Sequence, residues 1–231
     1  MKRMKFATLA LAASLVMANI SCSNTAKGTV IGGGGGAVLG GILGNIAGGG
    51  AKNTAIGAAI GAAVGAGAGA IIGNRMDKAK KQAQMAAQNA QVETVTDANG
   101  LAAVKVTFDS GLMFATGKSD LNAGSKSDLT KFADVLKQNT DCDVAIFGHT
   151  DSTGSDAINN PLSLKRAQSV QNYLSAQGVS SKQFKTIEGK GSAQPVADNS
   201  SEAGRKQNRR VEVYLYASEA MINAANKEAQ Q

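Results

Sequence analysis

The second half of the chain alternates between two hydrophobic periods, one typical of strands and one typical of helices. Apolar residues at alternate positions, Val104, Val106 and Phe108, predict a strand with one buried face. Three further segments rich in β-branched and aromatic residues predict three more strands: 142–147, 184–188 and 211–216.

Apolar residues at helical spacing lie between these strands and predict two amphipathic helices. They are Leu129, Phe132, Ala133 and Leu136 in the first helix, and Leu164, Ala167, Val170, Tyr173 and Leu174 in the second. Helices that pack on a single sheet give an α+β domain. We therefore expect residues 101–217 to form a mixed four-strand sheet with helices on one face.

The start of the second helix places a base near an acid. Asn160 and Pro161 have the residue types of a helix N-cap and a first helical position, so we expect the helix to begin there. Arg166 then falls in the second turn. Helical side chains lean toward the N-terminus, so its guanidinium can reach the loop that carries Asp151, just after the strand that ends at Gly148.

An acid and a base that converge in this way suit a ligand with an amino group and a carboxylate on one carbon. Asp151 would accept the ammonium, and Arg166 would bind the carboxylate through two parallel hydrogen bonds. An internal salt bridge between the two residues is the alternative. Spacing alone favours that alternative, because ion pairs between a loop and a helix are common.

The first third of the chain has a different pattern, in which glycine recurs every four residues. The repeat runs from Gly28 to Gly48 and, after a break, from Gly57 to Gly73, with aliphatic residues between the glycines. Each limb has about eighteen to twenty residues without a charge, close to the length that spans a bilayer. Glycines at this period line one helical face, on which two backbones can approach closely. We expect a helical hairpin over 28–73, with a disordered glycine spacer as the alternative.

The segments that flank the hairpin and the domain are polar. Residues 74–100 begin with a run of charges and continue with glutamine and alanine, which predicts a polar helix or linker. Residues 218–231 are rich in alanine, asparagine and glutamine, and we expect a loose or helical tail.

The N-terminus has the layout of an export signal. Residues 1–21 combine a basic start, an apolar middle and small or polar residues before Cys22. Because it ends on a cysteine, the segment resembles a bacterial lipoprotein signal, although Asn19 departs from that pattern. We expect Cys22 to be lipidated, with 22–27 as the lipidated N-terminus of the mature chain. Ordinary cleavage that leaves a free thiol is the alternative.

Composition argues against several other functions. The net charge is +7, but the bases are dispersed and aromatic residues make up only 4% of the chain, which disfavours nucleic-acid binding. The chain has one histidine and two cysteines in unlike contexts, so neither a metal site nor a disulfide is expected. It also lacks a nucleophile elbow and a phosphate loop, and we expect neither enzymatic activity nor a cofactor.

Several separated motifs in the second half carry a family resemblance. They are FATGKSDL at 114–121, HTDSTG at 149–154, NNPLSLKRA at 159–167 and NRRVE at 208–212. Their order resembles the OmpA-like peptidoglycan-binding domain, and the glycine repeat resembles a glycine-zipper domain. The first resemblance implies that Asp151 and Arg166 hold the diaminopimelate of the peptidoglycan stem peptide. It also implies that Thr153, Asn159 and Arg209 surround that ligand.

These features together predict a tether of the cell envelope. The lipid at Cys22 would hold the chain in the outer membrane, while the globular domain binds peptidoglycan non-covalently in the periplasm. In the alternative hypothesis, the glycine-zipper hairpin is an oligomerising or membrane-inserting element and the OmpA-like domain only localises it. A homo-oligomer belongs to that second hypothesis.

Overall fold

The structure, a computed structural model, describes residues 64–231. The expected signal segment 1–21, the lipidation site Cys22 and most of the expected hairpin over 28–73 lie outside the described residues. The described elements are α1 (Ala66–Ala86), β1 (Ala90–Thr96), β2 (Ala102–Asp109), α2 (Ser110–Met113), α3 (Ala123–Gln138), β3 (Cys142–Gly148), α4 (Asp156–Ala176), a 3-10 turn (Ser181–Gln183), β4 (Phe184–Gly189), α5 (Glu202–Asn208), β5 (Arg210–Ala217) and α6 (Glu219–Glu228).

The strands form one mixed sheet in the order β1-β2-β5-β3-β4. Only β3 and β4 are parallel, and α4 connects them. Two glycines let this helix approach the strand ends. A Cβ on Gly148 would lie 2.0 Å from the carbonyl oxygen of Ser163, and one on Gly189 would lie 2.4 Å from the backbone nitrogen of Leu164. This close contact fixes α4 beside the loop that follows β3.

The main core lies between the helices and one face of the sheet. Alternate residues of β5, Val211, Val213 and Leu215, are fully buried there, as their period in the sequence predicts. Phe132 of α3 is also fully buried and meets the ring of Phe108 edge-to-face, with ring centroids 5.8 Å apart. The α+β class predicted from the sequence is therefore confirmed.

The sheet has five strands, so the expected count of four is wrong by one. The extra strand is β1, which lies in the segment 74–100 that we expected to be a polar helix or linker. It pairs with β2 in antiparallel register, and a tight turn joins the two strands. Asp97 Oδ1 accepts the backbone N–H groups of Asn99 and Leu101, each at 2.8 Å, and Gly100 has a φ of +75°. A turn of this kind favours asparagine and glycine, so Asn99-Gly100 was a readable hairpin signal.

Helices α1 and α6 extend the packed unit beyond 101–217 on both sides. One face of α1 is buried against the core, namely Ala68, Ile72, Met76, Ala79 and Ala83. Met221, Ile222 and Ala225 of α6 are buried in the same cluster. Asn226 Oδ1 accepts the backbone N–H of Gly65 at 3.1 Å, which joins α6 to the start of α1. Among the described residues, no helix is both long enough and apolar enough to cross a membrane.

Helix α4 begins at Asp156, so the expected start at Asn160 and Pro161 is wrong. Ser155 is the N-cap residue, and its carbonyl accepts the N–H groups of Ile158 and Asn159. Pro161 lies inside the helix, where its ring removes one backbone donor without ending the element. Arg166 therefore lies about three turns from the helix start rather than in the second turn.

Candidate functional site

Asp151 lies in the loop at the carboxyl end of β3, where its side chain is buried. Its Oδ1 accepts the backbone N–H of Thr153 at 2.8 Å, and its Oδ2 accepts from Arg209 Nη1 at 2.6 Å. Burial alone would raise the pKa of this carboxyl, but the hydrogen bonds from Arg209 and Thr153 outweigh it and hold the pKa below its usual range. Asp151 is therefore an anion at neutral pH.

Arg166 projects from α4 and is only 4% exposed. Its Nε donates to the backbone carbonyl of Lys118 at 3.1 Å, and its guanidinium carbon lies 5.2 Å from the centre of the Phe114 ring. Burial lowers the pKa of Arg166, and the charge of Arg209 lowers it further. Arginine nevertheless stays protonated in proteins. Among the described residues, no carboxylate forms an ion pair with this buried cation.

Arg209 supplies the partner of Asp151. It follows α5, and its second nitrogen, Nη2, donates to Glu202 Oε1 at 2.8 Å. The hydrogen bonds to Glu202 and Asp151 raise the pKa of Arg209. The internal salt bridge that the sequence suggested for Asp151 is thus made with Arg209, and Arg166 remains beside it without a carboxylate.

The two remaining residues implied by the resemblance shape the loop. Thr153 is exposed, whereas Asn159 is buried in the first turns of α4. The Asn159 side-chain amide donates to the backbone carbonyls of Thr153, at 3.1 Å, and Asp151, at 3.4 Å. The structure therefore brings Asp151, Thr153, Asn159, Arg166 and Arg209 to one end of the sheet.

A buried polar cluster supports the site from the adjoining strand. Glu212 accepts from Arg210 Nε at 2.7 Å and from the Tyr214 hydroxyl at 2.8 Å, and His149 Nε2 lies 3.5 Å from its second oxygen. Burial would raise the pKa of Glu212, but the contacts with His149 and Arg210 hold it well below its usual range. Burial lowers the pKa of His149, so this imidazole is neutral at neutral pH.

Sequence reasoning missed three contacts in the site. Phe114, the Lys118 carbonyl and Glu202 hold the two arginines, although none was predicted to do so. The motif at 114–121 was the available signal for the first two. Glu202 stands seven residues before Arg209, and its sequence context gave no comparable signal.

The other titratable groups of the described chain offer little reactive chemistry. Among residues 64–231, no group of histidine, cysteine, aspartate and glutamate side chains could hold a metal ion. Cys142 is a free, buried cysteine, and burial raises the pKa of its thiol to about 12. A thiol with so high a pKa is a poor nucleophile.

Comparison with known proteins identifies two regions of the chain. Residues 113–209 match the OmpA family, and residues 1–77 match the YMGG-like Gly-zipper. The chain carries an OmpA-family domain. The two resemblances noted in the sequence are thus confirmed, and the OmpA-family match contains all five residues of the site.

Individual relatives match part of this chain. The peptidoglycan-binding protein ArfA of Mycobacterium tuberculosis is 47% identical over 38% of this chain and 26% of its own length. The probable lipoprotein YiaD of Escherichia coli is 42% identical over 48% of this chain and 47% of its own length. This chain therefore spans less than half the length of either relative.

A solved structure gives the same architecture. The cell wall anchor of the T6SS from Pseudomonas aeruginosa is 28% identical and superposes with a TM-score of 0.51. The superposition covers 62% of this chain and 98% of that chain.

Proposed function

We propose that this chain is a cell-envelope lipoprotein that binds peptidoglycan non-covalently through the diaminopimelate of the stem peptide. The observation that carries the proposal is the buried Arg166, which has no carboxylate partner among the described residues and lies next to the anionic Asp151. The charge of Asp151 raises the pKa of Arg166, but Asp151 makes no hydrogen bond to the guanidinium, so the Nη groups keep donors for a ligand. A ligand carboxylate would accept from those donors.

The free end of diaminopimelate matches the two charges. Its carboxylate pairs with the Arg166 guanidinium, and its ammonium pairs with Asp151. A carboxylate has about four acceptor positions. Thr153 and Arg209 occupy two of those on Asp151, which leaves acceptor capacity for the ammonium. Arg209, which also donates to Glu202, keeps Asp151 ionised and oriented.

The relatives support the same class of ligand. One is named for peptidoglycan binding, another is named a probable lipoprotein, and the solved structure is a cell wall anchor. A domain of this family fits a periplasmic location, facing peptidoglycan. We place the lipid at Cys22, in the outer membrane.

A tether needs its two attachment points well apart, and the ligand site and the start of the described chain have that arrangement. β5 begins at Arg210, beside the ligand site, and ends at Ala217, just before α6. The start of α1 is bonded to α6 through Gly65 and Asn226. The described chain therefore begins at the end of the sheet opposite the ligand site.

Sedimentation with purified peptidoglycan sacculi tests the proposal. The full chain in mild detergent is expected to pellet with sacculi that contain diaminopimelate, and an Asp151→Asn, Arg166→Ala double variant is expected to stay in solution. Arg75→Ala is the matched control, because it removes an arginine from the opposite end of the sheet. Sacculi that carry lysine in place of diaminopimelate lack the carboxylate for Arg166 and should pellet less protein. Normal pelleting of the folded double variant would refute the two-charge site.

The glycine repeat gives a second proposal, that residues 28–73 promote self-association or membrane insertion. The match to a YMGG-like Gly-zipper favours it. Replacing Gly36, Gly40, Gly61 and Gly65 with leucine would block close packing of backbones. We expect the Cys22→Ser chain to lose membrane association or oligomer formation when it carries those four leucines. Unchanged behaviour would favour an inert spacer.

A further inference from the structure

Two groups from one short segment hold Arg166 in place. The Phe114 ring faces the guanidinium at 5.2 Å, and the Lys118 carbonyl accepts from Nε at 3.1 Å. Both groups lie in the segment 114–121, which is remote in sequence from α4. The carbonyl occupies the Nε edge of the guanidinium, and the guanidinium carbon lies over the Phe114 ring. Nη1 and Nη2 make no hydrogen bond to any described residue.

We propose that Phe114 and the backbone at Gly117 and Lys118 are positioning groups for Arg166. They present its Nη1–Nη2 edge to the ligand carboxylate and prevent the guanidinium from binding through its Nε edge. The inference rests on the proposed function and adds the element that sets how the carboxylate is bound. A carboxylate that meets the Nη edge receives two parallel hydrogen bonds.

The segment is built to hold its own shape. Phe114 and Leu121, the two ends of the segment, are joined by an isolated antiparallel β-bridge. Inside it, the Lys118 N–H donates to the Ala115 carbonyl at 2.9 Å. Gly117 has a φ of +68°, a conformation that side chains other than glycine rarely adopt. A Cβ at this position would meet no atom within 4 Å, so only the backbone conformation restricts the residue.

Burial makes the contact with Phe114 stronger than a surface contact of the same geometry. Phe114 is 3% exposed and Arg166 is 4% exposed, so little water screens the attraction between the cation and the ring. A guanidinium that is already oriented loses less conformational freedom when a ligand binds. Without the ring and the carbonyl, Arg166 would keep its charge but would have to be ordered by the ligand itself.

Isothermal titration of the full chain in detergent with meso-diaminopimelate measures the effect on affinity. We expect Phe114→Leu and Gly117→Ala each to weaken binding about tenfold, the range of a partly desolvated cation–π contact. Phe132→Leu is the matched control for lost core volume, because Phe132 is a buried ring without contact to Arg166. Gly100→Ala is the matched control for strain, because Gly100 also has a positive φ, +75°, but lies in the turn between β1 and β2. Both controls should stay within about twofold of the unaltered chain.

A spectroscopic measurement separates positioning from a general structural role. Because Nε–H is bonded to the Lys118 carbonyl, we expect a resolved, slowly exchanging Arg166 Nε–H signal in a proton–nitrogen spectrum of the unliganded chain. Phe114→Leu and Gly117→Ala should broaden or shift this signal, whereas the two controls should not. If Phe114→Leu does not fold, Gly117→Ala carries the test, since it removes no core atoms.

The outcomes distinguish this inference from the proposed function. If the unaltered chain binds meso-diaminopimelate and the four variants bind it equally well, the positioning role is wrong and the proposed function stands. An unchanged Nε–H signal in both test variants would also overturn the positioning role. If the unaltered chain does not bind meso-diaminopimelate at all, both proposals fail.

Discussion

At one end of the sheet Arg75 is paired with two carboxylates, whereas at the other end Arg166 is paired with none among the described residues. Arg75 lies 3.1 Å from Asp141 and 3.2 Å from Glu228, and its side chain is 39% exposed. Arg166 is 4% exposed and bonds only to a backbone carbonyl. The half-buried arginine is thus paired internally, whereas the buried one has no carboxylate partner among residues 64–231.

The difference indicates where to look for a ligand in a protein with many ion pairs. An exposed ion pair contributes about 0–1 kcal/mol and needs no functional reason. A buried guanidinium whose Nη groups make no hydrogen bond within the described chain still has donors for a ligand. The same residue type therefore makes internal ion pairs at one end of β5 and, we propose, binds the ligand at the other.

The largest effect that we expect is a loss of folding stability, caused by a substitution at the end of the sheet that carries Arg75. Ile222 of α6 is 1% exposed and packs in the main core, so Ile222→Ala should lower the free energy of unfolding by about 2–5 kcal/mol. Urea denaturation measures this loss. At temperatures where the variant is folded, its affinity for sacculi should not change. A matched fall in affinity would show that the two ends are not independent.

The next effect separates charge from geometry at the other end. Arg166→Lys keeps the positive charge but loses the planar fork that binds a carboxylate through two hydrogen bonds. We expect affinity for sacculi to fall by about 1.5–3 kcal/mol, the contribution of hydrogen bonds to a charged group. The free energy of unfolding should fall less than that, because the lost internal hydrogen bond is the one from Nε to the Lys118 carbonyl and no carboxylate of the described chain loses its partner. Full binding by the lysine variant would mean that only charge matters.

A comparison with the sequence shows which parts of these two ends were predictable. Strands β2, β3 and β5 and helix α3 have large apolar residues at a clear period, and the sequence predicted them. Helix α1 buries mostly alanine, including Ala68, Ala79 and Ala83, which gives hardly any hydrophobic contrast. Strand β1 is an edge strand with few buried residues, so its pattern is equally weak. A polar helix or linker was expected over 74–100, but short apolar side chains concealed that α1 packs in the core, and partial burial concealed β1.

The sequence predicted which residues lie together at the candidate site, but not which of them form an ion pair. The motifs identified Asp151, Arg166 and Arg209 through family resemblance. The Asp151–Arg209 pair spans 58 residues, and the contact between Arg166 and the Lys118 carbonyl spans 48. Contacts at such separations depend on the tertiary fold, and local periodicity carries no information about them. Spacing therefore suggested the pair Asp151–Arg166, whereas the fold pairs Asp151 with Arg209.

The ionisation of Asp151 gives a prediction for pH. Its pKa lies below the usual value of 3.8 despite burial, chiefly because Arg209 donates to it. The stability that this carboxylate contributes is therefore present above pH 3.8 and is lost as the pH falls through its lowered pKa. Arg209→Ala removes that hydrogen bond and should raise the pKa of Asp151. Carbon NMR of the Asp151 carboxyl in the unliganded full chain measures the change.

Affinity for sacculi should fall at the pH at which Asp151 becomes protonated, because the ligand ammonium needs an ionised Asp151. In the Arg209→Ala chain, binding to sacculi should be lost at a higher pH than in the unaltered chain. Arg205→Ala is the matched control, since Arg205 pairs with Glu202 but not with Asp151. If Arg209→Ala leaves the pKa of Asp151 unchanged, another group controls its ionisation.

The smallest effect that we expect is from Arg75 itself. Its partners Asp141 and Glu228 are 43% and 57% exposed, so water and salt screen both contacts. Arg75→Ala should lower the free energy of unfolding by about 0.5–1 kcal/mol, and less at high salt, with no change in binding to sacculi. Urea denaturation at two salt concentrations measures it. A loss as large as that from Ile222→Ala would mean that the ion pairs of Arg75, rather than the buried face of α6, hold this end of the fold together. The difference in exposure between Arg75 and Arg166 would then not explain their different roles.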